Sequence, residues 1–188
     1  LPPESRAYSG YYAGGYGESC DMGGMNNVKQ LENVIKRFQR EMFDRLLTGE
    51  HVYYARLEGN RTALCDGCRA YIFDNGDLHI DISECKEFEG ISKCLEENGQ
   101  DQKLRDTYTY IKQGKTLLHK FSAENKAFSI YIDEQLIKAI NLCPCSYYAF
   151  GSYERVVIKN VITGNVIGLV MPYRYYEGCG DLISDREE

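Results

Sequence analysis

Residues 69–85, RAYIFDNGDLHIDISEC, are echoed at 126–143 by KAFSIYIDEQLIKAINLC, with one residue inserted. Each copy is followed, after a variable stretch, by a Tyr-Ile-Lys or Val-Ile-Lys strand and a Gly turn, at 110–118 (YIKQGKTLL) and at 157–169 (VIKNVITGNVIGL). A strand–turn–strand unit cannot bury its apolar face alone. A repeated unit therefore predicts a duplicated antiparallel sheet or a closed barrel. Within the first copy, Asn75-Gly76 suits the positive φ of a hairpin turn. Leu78, Ile80 and Ile82 then alternate with His79, Asp81 and Ser83, as a strand with one wet face does.

Working outward, residues 27–47 change period. Val28, Leu31, Ile35, Phe38, Met42 and Leu46 recur at steps of three and four, with Val34, Phe43 and Leu47 widening the stripe. The spacing predicts an amphipathic helix. Asn26 or Asn27 is placed to cap its start, and Gly49 follows its end. Lys36, Arg37, Arg40, Glu41, Asp44 and Arg45 mark a mixed-charge opposite face, which favours packing on a sheet over lying on a membrane. Residues 51–57, 70–73 and several segments beyond 106 read as strands, and Ile91, Cys94 and Leu95 as a short helix. The expected fold is mainly β with one long amphipathic helix (α+β). The domain plan is a Gly/Tyr-rich arm at 1–26, a single β-rich domain at 27–177 containing the helix, and an acidic tail at 178–188.

The chain has 188 residues and a net charge of −6, with Lys and Arg scattered. That balance argues against a nucleic-acid surface and against a polybasic lipid patch. No apolar run approaches the roughly 20 residues of a transmembrane helix. A start at Leu1 in place of Met suggests a processed product. With eight cysteines it favours secretion, the alternative being a membrane-associated cytoplasmic protein.

The cysteines are Cys20, Cys65, Cys68, Cys85, Cys94, Cys143, Cys145 and Cys179, and three states compete for them. One is a framework of up to four disulfides, of which at least two are expected. Another is a four-thiolate zinc site from Cys65, Cys68, Cys143 and Cys145, zinc being the one cofactor considered. The third is free or acylated thiols. Asn60-Arg61-Thr62 is a glycosylation sequon at Asn60.

Several local strings, in order, resemble the phospholipid scramblase family, whose domain is a duplicated β-barrel related to the Tubby fold. They are LTG at 47–49, RAY at 69–71 with DNG at 74–76, KAFSI at 126–130, CPC at 143–145 and GNVIG at 164–168. The resemblance spans roughly residues 46–172. It implies a scramblase-like barrel, contact with lipid, and Cys143 and Cys145 as acylation positions. The chain differs in having a helical pattern at 28–47 where that family has strand.

No catalytic constellation emerges. His51, His79 and His119 are far apart and read as surface or packing residues, and the acid pairs Asp74/Asp77 and Glu96/Glu97 as solvent-facing. The sequence has no phosphate-binding loop, nucleophile elbow or His-Glu-x-x-His helix. Tyrosine is the unusual residue, with 16 copies and no Trp. Tyr8, Tyr11, Tyr12 and Tyr16 cluster near the start, and Tyr147, Tyr148, Tyr173, Tyr175 and Tyr176 near the end. Tyr gives large contact area with few torsions to freeze, which suits interfaces. The function expected is a non-catalytic binding protein that meets lipid or a protein partner through a scramblase-like barrel. The alternative is a secreted, disulfide-stapled structural or carrier protein, a subunit of a homo- or hetero-oligomer, holding a small apolar ligand. A third reading is a metal-stapled accessory subunit inside a cell.

Overall fold

The computed structural model describes residues 22–96, 98–176 and 178–183. The arm tyrosines Tyr8, Tyr11, Tyr12 and Tyr16, together with Cys20, lie outside the described residues.

Helix α1 spans Met22–Leu47, so it starts earlier than Asn27 and Asn26/Asn27 are no caps. Val34, Phe38 and Met42 are buried while Lys36, Arg37, Arg40 and Asp44 are exposed. Its end is set by Gly49, at φ 77. There Gly49 N–H donates to Leu46 O (3.1 Å) and Glu50 N–H to Arg45 O (2.9 Å). This paired closure satisfies carbonyls that the last turn leaves open, and it needs a residue tolerant of positive φ.

Two meanders follow. β1 (Tyr53–Leu57), β2 (Arg61–Cys65) and β3 (Arg69–Asp74) pair antiparallel, and β4 (Lys86–Glu87) returns to lie parallel to β1. β5 (Gln102–Gln113), β6 (Thr116–Ala123) and β7 (Ser129–Asp133) repeat the plan, and β8 (Cys145–Ala149) returns to pair antiparallel with β5. The hairpin β9 (Val156–Asn160) and β10 (Val166–Val170) joins the halves, β9 on β8 and β10 on β3. The order is β4-β1-β2-β3-β10-β9-β8-β5-β6-β7, with β11 (Asp181–Ile183) added to β5. The protein is mainly β, as its sequence period indicates. Its tail is structured at least through Ile183.

The eleven strands form one open sheet, ending at β4 and β7. The closed barrel is therefore not formed among the described residues. The outer strands pair only inward, and β4 is two residues long, too short to seal an edge.

The echoed segments do share a local course, although neither is a hairpin. Each is a strand, a helical turn, then a 3-10 turn ending at cysteine. After β3 come the 3-10 turns Asn75–Asp77 and Ile82–Glu84. After β7 come α3 (Glu134–Ile137) and the 3-10 turn Ile140–Leu142. The Cys85 N–H donates to Ile82 O, and the Cys143 N–H to Ile140 O. Residues 78–83 thus do not make the expected strand. Gln39 of α1 takes their backbone instead, donating to Asp77 O (2.7 Å) and accepting from His79 N–H (2.7 Å). With these two backbone groups held by a helix side chain, and the Ser83 N–H by Asp81 Oδ1 (2.9 Å), the segment runs outside the strand ladder.

One apolar interior serves both halves. Val34, Phe38 and Met42 of α1 share it with Leu64, Phe73, Phe121, Ile130, Ile132, Tyr147, Ile158 and Val170 from strands of both meanders. A separate cluster lies on the sheet's other face, where α2 (Gly90–Leu95) sets Ile91 and Leu95 against Ala55, Ala63, Ala70 and Leu169. The β3–β10 contact that joins the halves is close. A Cβ at Gly168 would lie 2.4 Å from Ala70 O.

Candidate functional site

Two clefts hold the chemically notable side chains. The first, of about 450 Å³, lies beside α2 over the outer face of the first meander. Its walls are Tyr53, Ala70, Phe88, Ile91, Leu169 and Met171, with the thiols of Cys65, Cys68 and Cys94 among them. Phe88 packs edge-on to Tyr53, ring centroids 6.2 Å apart. Gly90 makes that placement possible, since a Cβ there would meet the Phe88 ring at 2.7 Å.

Both walls are pinned by charged groups. On the hairpin side, Asp66 Oδ1 accepts from the Cys68 and Arg69 N–H groups at 2.9 Å, and Arg69 Nε donates to Asp66 Oδ2 at 3.0 Å. Arg69 also pairs with Glu41 of α1. On the helix side, Arg155 donates to the carbonyls of Cys94 and Glu96 and lies 3.5 Å from Asp101. Buried Arg–carboxylate pairs of this kind fix geometry more surely than they add stability. Burial pushes the Cys65 thiol above its ordinary range, opposed by the Gly67 N–H that donates to its sulfur, while Asp66, Cys68 and Cys94 push it further up.

The second cleft, about 490 Å³, opens on the inner side of the second meander and is polar. Its centre is His119, 2 % exposed. Nε2 lies 2.7 Å from Asp106 Oδ1 and Nδ1 3.1 Å from Glu134 Oε2. A neutral imidazole donates from one nitrogen only. Both contacts are hydrogen bonds when the ring carries two protons or one carboxyl carries the second. The ring is sandwiched by Tyr110 and Phe121, centroids 4.5 and 4.3 Å away. A β-bulge sets this up: pairing of β5 with β6 slips between Asp106 and Thr109, and Tyr108 takes φ 53. The Tyr108 N–H donates to Asp106 Oδ1 (2.6 Å). The two extra residues, Thr107 and Tyr108, turn Asp106 toward His119, the re-aiming that bulges provide. Further along the cleft, Tyr147 donates to Asn141, and the Cys145 thiol lies 3.7 Å from the Tyr147 hydroxyl.

The cysteines sort by face. Cys85, Cys143 and Cys145 belong to the interior, Cys65, Cys68 and Cys94 to the outer cleft, and Cys179 is exposed. All seven described cysteines are unbonded, so the disulfide framework is not present among them. The four-thiolate zinc set does not assemble either, because Cys65/Cys68 and Cys143/Cys145 line different clefts. Among the described residues no three His, Cys, Asp or Glu side chains are grouped to hold a metal. Cys143 is 6 % exposed and burial pushes its thiol up, so acylation there needs local opening. Burial likewise pushes Cys145 and Cys85 up.

Of the candidate interface tyrosines, Tyr176 is exposed and Tyr148 and Tyr173 are half-buried. Tyr147 is in the core, and Tyr175 is buried against Tyr131 at 4.5 Å. Asn60 occupies an exposed turn at φ 59, where its Oδ1 accepts from Asn75, while the sequon's Thr62 hydroxyl is buried on Asn75. His51 is exposed with its Nε2 2.9 Å from Lys86, and His79 is exposed. His119 is the residue sequence reading passed over. Its partners sit 13 residues before it on β5 and 15 after it on α3, and no local pattern marks them.

Burial pushes Tyr71 up to about 12 and Tyr147 up in the same direction. Unfolded tyrosine ionises near 10, so above that pH the unfolded chain loses its proton first and folding weakens. Stability should be unaffected by this group below about pH 10 and fall by about 3 kcal/mol as pH approaches about 12. Urea midpoints at stepped pH check this, and Tyr71→Phe should flatten the decline. An equal decline in Tyr71→Phe would clear Tyr71 of any part in it.

No helix among the described residues is long and apolar enough to cross a membrane. Compared with protein-family models, curated proteins and solved structures, the chain matches none.

Proposed function

We propose that this is a non-catalytic binding protein that holds a small apolar ligand, such as an acyl chain, in the cleft beside α2. The observation that carries the reading is that cleft's combination of size, lining and position. Its volume of about 450 Å³ falls in the usual range for small-molecule sites. Tyr53, Ala70, Phe88, Ile91, Leu169 and Met171 give it apolar walls. It lies outside the main core, so filling it leaves the packing of that core unchanged.

The scramblase-like relation is part of the same reading. α1 shares its interior with strands of both meanders, although that family has strand where this chain has α1. A lipid-derived ligand is consistent with that relation.

The test uses N-phenyl-1-naphthylamine as a fluorescent apolar probe and palmitic acid as competitor. Phe88 and Met171 are exposed at the cleft mouth, so Phe88→Asp with Met171→Asp should leave melting unchanged. The paired substitution should weaken probe binding at least about tenfold, about 1.4 kcal/mol. Probe binding that is indifferent to both substitutions, or that palmitic acid fails to displace, places the ligand elsewhere and overturns the reading.

A further inference from the structure

The apolar cleft is unusual in gathering three thiols from two elements. Cys65 ends β2 and Cys68 stands in the turn before β3, while Cys94 is carried by α2 on the opposite wall. Cys68 and Cys94 are exposed and Cys65 is half-buried. We propose that this cleft is a thiol–disulfide exchange site for a small-molecule disulfide, which leaves Cys94 of α2 joined to Cys65 of β2 across the cleft. The inference goes beyond ligand binding and does not depend on it.

The exchange proceeds in two displacements. Cys94, an exposed thiol, gives up its proton to solvent, and its thiolate attacks one sulfur of the small disulfide. That S–S bond breaks, a protein mixed disulfide forms, and the other half leaves as a thiolate that takes up a proton. Cys65 then loses its proton to solvent and attacks the Cys94 sulfur, expelling the second small thiol. Two protein thiols are oxidised by two electrons, and one disulfide is reduced to two thiols.

The choice of partners follows from how each wall is held. Cys68 sits in a turn fixed by Asp66, which accepts from two successive N–H groups and pairs with Arg69. Bonding Cys65 to Cys68 would strain that turn. The six-residue helix α2 is docked by Ile91 and Leu95 on Ala55, Ala63, Ala70 and Leu169, and Arg155 holds the backbone carbonyls of Cys94 and Glu96 at its end. These contacts hold the helix and its backbone, and leave the Cys94 thiol itself exposed and unbonded. The Cys65 thiol is half-buried and raised by burial, with Cys94 among the neighbours that raise it. Those are features of a resolving thiol and not of a first attacker.

The test treats the full chain with oxidised glutathione under folded conditions, followed by alkylation and non-reducing peptide mapping. Cleavage before Asp66 separates Cys65 from Cys68. A Cys65–Cys94 bridge should be the main product, retained in Cys68→Ser and lost in Cys94→Ser. A main Cys65–Cys68 bridge overturns the proposal. So does a glutathione adduct on Cys94 that never resolves, or a chain that stays fully reduced. Because no apolar ligand is used, failure here leaves the binding reading standing, and failure of the fluorescence test leaves this one standing.

Discussion

Replacing Phe38 with alanine should destabilise the protein by about 4 kcal/mol, the usual cost of deleting a fully enclosed aromatic ring. Phe38 is 1 % exposed and stands at the junction of α1 with the first meander. Its ring meets Tyr71 edge-on at 4.7 Å and Phe73 at 6.2 Å, and the Arg69 guanidinium lies 5.0 Å from its centroid. Little nearby can collapse into the space. The neighbours are strand residues fixed by their ladders and an arginine committed to Asp66 and Glu41. Phe38→Asp should leave no cooperative transition, because it buries a carboxylate beside an arginine whose partners are already chosen. Equilibrium urea unfolding measures both. A loss below about 1 kcal/mol for Phe38→Ala would mean that α1 is only loosely attached to the sheet.

The second large effect is expected at His119. His119→Leu keeps most of the ring's volume between Tyr110 and Phe121 but removes both ring nitrogens that contact Asp106 and Glu134. Hydrogen bonds to charged groups contribute about 1.5–3 kcal/mol each. Asp106 and Glu134 retain partial access to water, so the combined loss should be about 3 kcal/mol. Asp106→Asn should cost less, about 1 kcal/mol, because an amide oxygen still accepts from the Tyr108 N–H and from the ring. Urea unfolding of the two single variants and the double variant gives the coupling directly. Additive losses would show that His119 and Asp106 do not act together, and the bulge would then need another reason.

The contrast between these two residues shows what could be read in advance. Phe38 belongs to a helical stripe visible in sequence, and the structure buries it with Val34 and Met42. The turns at Gly114 and Gly164 were also legible, since both take positive φ between paired strands. His119 has no such signature, because its environment comes from a bulge in β5, the strand β6 and the first turn of α3. The alternation at 78–83 misled for a related reason. Period-two spacing states which residues could face a core, but Gln39, some 40 positions away, supplies the hydrogen bonds.

The candidate ligand cleft lay further still from view. Tyr53, Ala70 and Phe88 are brought together by the first meander, and Leu169 joins them because β10 crosses to pair with β3. The Cys65-x-x-Cys68 motif was plain in sequence, yet nothing there joined it to Cys94, read only as part of a short helix with Ile91 and Leu95.

Sequence by itself determined the β-rich class and the apolar helical stripe of α1, and it marked the two echoed segments ending at Cys85 and Cys143, though not as the hairpins expected of them. Those are local matters, set by side-chain period, turn residues and short-range hydrogen bonds. Tertiary structure alone decided that the sheet stays open, which thiols share a cleft, and that a histidine is enclosed by two acids. Each of these depends on strand pairings between residues distant in the chain, whose free energy belongs to the assembled sheet and to no single segment.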